Sequence, residues 1–68
     1  MTQAEIFHAL WDDAIKDKND EYKNARSLAE TMGAKVVARV DHWNDWLFPD
    51  GSIVEILNDG SDIKKAPP

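Results

Sequence analysis

The residues best suited to chemistry in this chain are a histidine and its acidic neighbours. His42 lies between Asp41 and Trp43, and Asp45 follows three residues later. A carboxylate can orient a histidine as a general base, and both residue types can bind a metal ion. A metal site needs three or four converging ligands, however, and His8 is far away in the chain. We therefore expect both histidines to be ordinary surface or boundary residues, and we predict no metal site and no cofactor.

Two pairs of carboxylates would be the other starting point for catalysis. Asp12 and Asp13 are adjacent in a predicted helix, so their side chains point in different directions. Asp45 and Glu55 are predicted to be cross-strand neighbours, and two solvated acids with mild repulsion are the simplest interpretation. No serine has a base and an orienting acid in a recognisable arrangement, and the three glycines are isolated turn or cap residues. We predict that the protein is not an enzyme.

The chain that must position these residues is short. Its 68 residues are predicted to form a single small domain, 1–68, near the lower limit of what folds alone. The chain has no cysteine, so disulfides cannot stabilise it. Its large side chains for packing are Phe7, Trp11, Tyr22, Trp43, Trp46 and Phe48. Neither a signal peptide nor a membrane span is recognisable, so we expect a cytoplasmic protein with no membrane partner.

The net charge of −5 is unevenly distributed along the chain. Residues 41–62 contain six acids and no lysine or arginine. A negative field of this kind repels phosphate backbones, so we expect no direct binding of nucleic acid. It would attract a partner with a basic surface, although acidic surfaces also serve solubility.

The first half of the chain has the pattern of helices. Thr2 and Glu5 form a capping box, and apolar residues follow at helical spacing, namely Ile6, Phe7, Leu10, Trp11, Ala14 and Ile15. A second apolar series runs over 22–32, and a polar stretch around 17–21 separates the two series. Two interpretations stay open: one continuous helix over about 3–32, or two helices (or one sharply bent helix) that meet in this polar stretch.

After Gly33 the apolar pattern changes from helical to alternating. Strands are predicted over 34–40, around 43–48 and over 53–57, and Asp62–Lys64 could add a short edge strand. The first strand is predicted to place Val36, Ala38 and Val40 on one face.

The predicted fold class is therefore α+β. An N-terminal helical segment (3–32) packs on one side of a three- to four-stranded antiparallel meander (34–64), and the tail (65–68) is frayed.

The register of the second hairpin decides what its two faces carry. Pro49-Asp50-Gly51 fits a three-residue loop that ends in a left-handed glycine. Trp46 then faces Val54 on the core side, and the opposite face carries Trp43, Asp45, Leu47, Ile53, Glu55 and Leu57. A two-residue turn at Asp50-Gly51 would instead place Leu47 opposite Val54. Proline favours the three-residue loop because it suits the first turn position.

In the favoured register the second face combines exposed apolar residues with acids, which is typical of a protein-binding surface. We predict that Trp11 and Trp46 belong to the core and that Trp43 contacts a partner. The predicted partner-binding residues are the apolar Trp43, Leu47 and Ile53 and the acidic Asp41, Asp45 and Glu55.

The leading functional hypothesis is a small acidic protein-interaction module. Such a protein can act as an inhibitor that occupies a basic, nucleic-acid-handling surface of its partner. Phage-encoded antagonists are an analogy in size and charge alone. One alternative is a homodimer without a foreign partner. A second alternative is a helical nucleic-acid-binding regulator that uses the basic residues between Lys16 and Arg26.

Overall fold

The structure is a computed structural model that describes residues 1–17 and 24–64. This part of the chain forms two helices and three strands, namely α1 (Gln3–Asp17), α2 (Ala25–Thr31), β1 (Lys35–Val40), β2 (Trp43–Leu47) and β3 (Ile53–Leu57). The strands form an antiparallel sheet in the order β1-β2-β3. The predicted α+β fold is confirmed, and the described residues contain two helices. The rest of the predicted break, beyond Asp17, and the predicted frayed tail lie outside the described residues.

Helix α1 begins with the predicted capping box. The backbone N–H of Glu5 donates to Thr2 Oγ1 at 3.1 Å, and the backbone N–H of Thr2 donates to the Glu5 carboxylate at 3.1 Å. The helix buries a stripe with a spacing of three and four residues, namely Ala4, Phe7, Trp11 and Ala14. The other apolar residues of the predicted face lie beside this stripe and remain exposed, namely Ile6, Leu10 and Ile15. The prediction that Trp11 belongs to the core is confirmed.

Helix α2 is short and is capped at both ends. Asn24 Oδ1 accepts hydrogen bonds from the backbone N–H groups of Arg26 at 3.0 Å and Ser27 at 3.2 Å. At the other end, Gly33 takes a φ of +87° and donates its N–H to the Glu30 carbonyl at 2.9 Å. Gly33 therefore closes the helix as predicted, and the chain turns directly into β1.

Strands β2 and β3 pair in the favoured register. Trp46 lies opposite Val54, and Leu47 lies opposite Ile53. Gly51 has a φ of +89°, and its N–H donates to the Phe48 carbonyl at 2.9 Å, which closes the turn. The three-residue loop is confirmed, and the two-residue turn is excluded.

Strand β1 differs from its prediction because it contains a β-bulge. Val36 is the partner of Trp46, but Ala38 is the partner of Asp45, so one residue is inserted between them. The prediction that Val36, Ala38 and Val40 share one face is therefore wrong. Val36 lies on the face of Trp46, whereas Ala38 and Val40 lie on the opposite face. Every residue of β1 is exposed.

The residues after β3 continue the sheet briefly, as predicted. Ile63 forms an isolated antiparallel bridge with Ile56. The N–H of Leu57 donates to the Asp62 carbonyl at 2.9 Å, and the N–H of Lys64 donates to the Glu55 carbonyl at 3.0 Å. The segment Asp62–Lys64 thus covers the outer edge of β3.

Both ends of β3 carry a turn with the sequence Asp-Gly-Ser. In each turn the aspartate Oδ1 accepts the backbone N–H of the serine two residues later, at 2.9 Å for Asp50 with Ser52 and at 2.9 Å for Asp59 with Ser61. The serine hydroxyls donate to the same carboxylates at 2.5 and 2.6 Å. Two turns with the same aspartate–serine hydrogen bonds therefore flank β3.

Each of these turns also holds the start of a helix. At the first turn, the N–H of Gln3 donates to Asp50 Oδ2 at 2.7 Å and the N–H of Ala4 donates to Ser52 Oγ at 3.0 Å. At the second turn, the N–H of Ala25 donates to the Gly60 carbonyl at 2.8 Å. The helix N-termini are thereby fixed to opposite ends of β3.

The core lies between the helices and the inner face of β2 and β3, which we define as the face that carries Trp46 and Val54. Its buried residues are Ala4, Phe7, Trp11, Ala25, Leu28, Ala29, Ala34, Trp46, Phe48, Val54, Ile56 and Ile63. Phe7 and Phe48 pack with ring centroids 5.7 Å apart. The helical layer thus covers one side of the sheet and leaves the other side as the candidate functional surface.

Candidate functional site

The side of the sheet away from the core forms the candidate site, which we call the outer face. The strand register assigns to it Lys35, Ala38, Val40, Trp43, Asp45, Leu47, Ile53, Glu55 and Leu57. The residues on β2 and β3 that point to this face are half-buried or exposed, whereas the residues that alternate with them are buried. The outer face is therefore accessible over most of its extent.

Cross-strand pairing arranges the outer face in three transverse rows. One row consists of Lys35, Leu47 and Ile53, in which Leu47 and Ile53 are directly opposite each other and are 37% and 52% exposed. Another row consists of Val40, Trp43 and Leu57. Exposed apolar side chains beside charged groups are typical of protein-binding surfaces.

The row between these two carries the acids. Asp45 and Glu55 are directly opposite each other on β2 and β3. Like charges in this position repel, and Lys64 offsets the repulsion because its Nζ lies 3.1 Å from Glu55 Oε2. The same Nζ lies 5.2 Å from the centre of the Trp43 ring, within the range of a cation–π interaction.

Five of the six predicted partner-binding residues come together on this face: Trp43, Asp45, Leu47, Ile53 and Glu55. Asp41 lies at its edge, in the turn between β1 and β2, where it is exposed and has a φ of +55°. Their role in binding stays a prediction.

The tryptophans divide as the sequence indicates. Trp11 and Trp46 are 4% and 3% exposed, which confirms that both belong to the core. Trp43 is half-buried, so part of its ring remains available at the surface.

Sequence reasoning missed several contributors to the outer face, among them Val40 and Lys64. Val40 joins it because of the bulge in β1, and no pattern in the sequence marks where that bulge falls. Lys64 joins it because the turn after β3 folds the segment Asp62–Lys64 back along the strand. A signal for Lys64 existed, since a turn at Asn58–Gly60 places Lys64 beside Glu55.

The described part of the chain does not group its histidines and acids as ligands of a metal ion. No three residues among its His, Asp and Glu side chains are grouped so as to hold a metal ion. His42 is exposed in the β1–β2 turn, and its carbonyl accepts the N–H of Asn58 at 2.9 Å. His8 packs edge-on against Phe7, with ring centroids 6.0 Å apart.

A cleft of about 650 Å³ opens between α1 and the segment Asp62–Ile63. Trp11 and Ile15 contribute its apolar wall. Its ionisable lining consists of Glu5, His8, Asp12 and Asp62, without a serine, threonine or lysine.

The basic residues proposed for nucleic-acid binding are only partly described. Arg26 uses its guanidinium to donate to the Asn58 carbonyl at 3.1 Å, which ties α2 to the turn after β3. Lys16 is exposed near the end of α1. Lys18, Tyr22 and Lys23 lie outside the described residues. Arg26 thus has a structural contact, and the basic surface is not assembled by the described residues.

No protein-family model matches the chain, and no curated protein or solved structure matches it. Neither of the described helices has the length and apolar character needed to cross a bilayer. What the protein does must therefore be inferred from its own surface.

Proposed function

We propose that the protein is a small acidic interaction module that binds a protein partner through the outer face of its sheet. The observation that carries this proposal is the exposed pair Leu47 and Ile53 beside the acidic pair Asp45 and Glu55. An antiparallel sheet with one solvated face normally presents polar residues there. Leu47 and Ile53 depart from that pattern, and burial against a partner would account for the departure.

The charge of the chain indicates the chemistry of the partner. Residues 41–62 contribute all the acids of β2, β3 and their turns, and no lysine or arginine. A partner with a basic surface would pair with Asp41 and Asp45 while its apolar groups contact Leu47 and Ile53. Complementary charges of this kind increase the association rate and set the orientation of the complex.

An inhibitory role is the finer form of this proposal. A basic protein surface that is complementary to these acids would also suit a nucleic-acid backbone, so occupation by this chain would exclude nucleic acid. The bound partner should therefore lose affinity for DNA or RNA in a gel shift. A partner that binds nucleic acid equally well in the complex would refute the inhibitory role and leave the interaction role intact.

The proposal is tested by comparing three forms of the immobilised protein as bait in an extract of its native host. The first is the unaltered chain, the second carries Ile53→Lys, and the third carries Ile15→Lys. Ile15 is a matched control for Ile53 because the two residues are 57% and 52% exposed and lie on opposite layers of the molecule. A protein that is retained by the unaltered chain and by Ile15→Lys, but not by Ile53→Lys, supports the outer face.

Retention by Ile53→Lys together with loss by Ile15→Lys would contradict the proposal, because the binding surface would then be the cleft beside α1. Equal retention by all three forms would also contradict it. Thermal melting of the two variants serves as the folding control. Both substitutions replace an exposed side chain and should leave the melting temperature nearly unchanged.

A further inference from the structure

We propose that Trp43 and Glu55 form a binding site for a lysine or arginine side chain of the protein partner, and that Lys64 occupies this site in the free protein. This inference rests on the proposed function, because it assigns the contact that the outer face would make with a basic partner.

The contacts of Lys64 define the chemistry of the site. Its ammonium group lies 3.1 Å from Glu55 Oε2 and 5.2 Å from the centre of the Trp43 ring. A carboxylate and an aromatic face are the two groups that proteins combine to bind an ammonium or guanidinium group. Trp43 and Glu55 lie diagonally across β2 and β3, because Trp43 pairs with Leu57 and Glu55 pairs with Asp45. Their distance along the sheet therefore suits one long cationic side chain.

A second acid makes the site more negative than one ion pair can neutralise. Asp45 lies directly opposite Glu55, so a second carboxylate lies on the neighbouring strand, beside the Glu55–Lys64 ion pair. An incoming arginine could bridge the two acids, because its planar fork donates to two oxygens at once. Lysine offers a point charge and cannot match that geometry.

The side chain of Lys64 can leave the site without disturbing the fold. The side chains of Lys64 and Glu55 are 50% and 40% exposed, and ion pairs at such positions contribute little to stability. The backbone of this segment is held separately, by the bond from the Lys64 N–H to the Glu55 carbonyl and by the buried side chain of Ile63. A partner side chain can therefore replace the ammonium group of Lys64 while the segment stays in place.

The experiment titrates the protein with a hexa-arginine peptide as the probe and follows the indole N–H resonance of Trp43 by NMR. Lys64→Gln removes the internal occupant, and Lys35→Gln is the matched control. Lys35 lies on the same face in the row of Leu47, at the opposite edge of the sheet. Both variants change the net charge equally. We expect Lys64→Gln to bind the peptide about two- to fivefold more tightly than Lys35→Gln, which is the size of an exposed ion pair.

Two further variants test whether the gain in peptide affinity depends on Trp43 and Glu55. In the Lys64→Gln background, Trp43→Leu and Glu55→Gln should each remove it. Equal affinities of Lys64→Gln and Lys35→Gln would show an effect of net charge alone and would overturn the inference. An unchanged gain after Glu55→Gln would overturn it as well, and that variant keeps the test valid if Trp43→Leu fails to fold.

The outcome is separable from that of the proposed function because the probe is a peptide and not the partner. A specific gain for Lys64→Gln combined with unimpaired partner capture by Ile53→Lys would leave the cation site standing and refute the proposed docking face. Equal peptide affinities of Lys64→Gln and Lys35→Gln, combined with loss of partner capture by Ile53→Lys, would retain the docking face and refute the cation site.

Discussion

Asn44 is a polar residue on the core face of β2, where the alternating pattern requires an apolar one. It is 6% exposed and lies opposite Ile56. Its side-chain oxygen has no hydrogen-bond partner in the described structure, and the same holds for the indole N–H of Trp46, two residues further along the same face. A buried polar atom without a partner costs about 1–3 kcal/mol. Each of these two unpaired polar atoms is therefore expected to lower the free energy of unfolding.

Substitution of Asn44 by valine should stabilise the protein. Valine removes the unpaired oxygen and suits a central strand, so we expect a gain of about 1 kcal/mol in the free energy of unfolding. In a domain of this size the melting temperature would rise by about 4–8 °C. Asn44→Ala is the control, because it removes the oxygen but leaves a cavity, and its gain should be smaller. A lower melting temperature for Asn44→Val would show that the amide makes a stabilising contact.

Asp50 should make the stability of the fold depend on acid pH. Hydrogen bonds from the Ser52 hydroxyl and from the backbone N–H groups of Gln3 and Ser52 lower the pKa of Asp50 below its ordinary value of 3.8. A carboxyl whose pKa is lower in the folded state stabilises the fold at pH values above its unfolded pKa. That contribution is lost as the pH falls through the folded pKa.

We therefore expect Asp50→Asn to melt at a lower temperature than the unaltered protein near neutral pH, with the difference shrinking below about pH 4. Thermal melting over the acid range measures this. The control is Asp13→Asn, which alters an exposed acid in the middle of α1. A difference that stayed constant across the range would assign the effect of Asp50→Asn to geometry and not to charge.

The turns at the two ends of β3 are the elements that unite the fold. Each one receives a helix N-terminus through hydrogen bonds, at Asp50 and Ser52 for α1 and at Gly60 for α2. Gly51 and Gly60 both have positive φ, at +89° and +78°. They differ in their surroundings, because Gly51 has open space where a side chain would project, whereas Gly60 faces the side-chain amide of Asn24.

This difference predicts unequal effects of alanine at the two glycines. Gly51→Ala should cost about 1–2 kcal/mol, which is the penalty of a left-handed backbone with a Cβ atom. Gly60→Ala carries the same penalty and also displaces Asn24, which caps α2, so it should cost about 1 kcal/mol more. Chemical denaturation measures both. Equal losses would show that the Asn24 cap contributes little.

The elements that sequence predicts correctly are those fixed by residues close together in the chain. The capping box at Thr2 and the loop at Pro49-Asp50-Gly51 depend on residues within four positions, so their chemistry can be recognised directly. The bulge in β1 has no such signature, because Val36 and Val37 are chemically identical and either could be the inserted residue. The contact of Lys64 with Trp43 depends on two strands and a turn together. The outer face was therefore predicted well along β2 and β3, and poorly at both edges of the sheet.

Over the whole molecule, bases and acids occupy different parts of the sheet. β1 carries Lys35 and Arg39 without an acid, whereas β2 and β3 carry the acids. Among the described strands β1 pairs with β2 alone, so its other edge is open. Lysine, arginine and a bulge on an edge strand are features that discourage pairing with another chain.

Together with the proposed use of the outer face by a foreign partner, this edge leads us to expect a monomer at micromolar concentration, in contrast to the homodimer alternative. Antiparallel pairing of two copies of β1 would bring two lysines and two arginines into one strand pair. Sedimentation equilibrium measures the mass. The double variant Lys35→Thr, Arg39→Thr removes the repulsion and should associate more strongly than the unaltered chain. A dimer of the unaltered protein would revive the homodimer alternative and would place the outer face in question.

The two turns around β3 also bear on the order in which the molecule folds. The hairpins of the sheet join residues that are close in the chain, whereas the contact of Gln3 with Asp50 spans 47 residues and that of Asn24 with Asp59 spans 35. Closing loops of this length costs chain entropy before the contacts at their ends can stabilise the fold. The sheet is therefore expected to form ahead of the folding transition state, with the helices docking after it. Weakening a contact between a turn and a helix, such as the bond from the Gln3 N–H to Asp50, would then accelerate unfolding and leave the folding rate nearly unchanged.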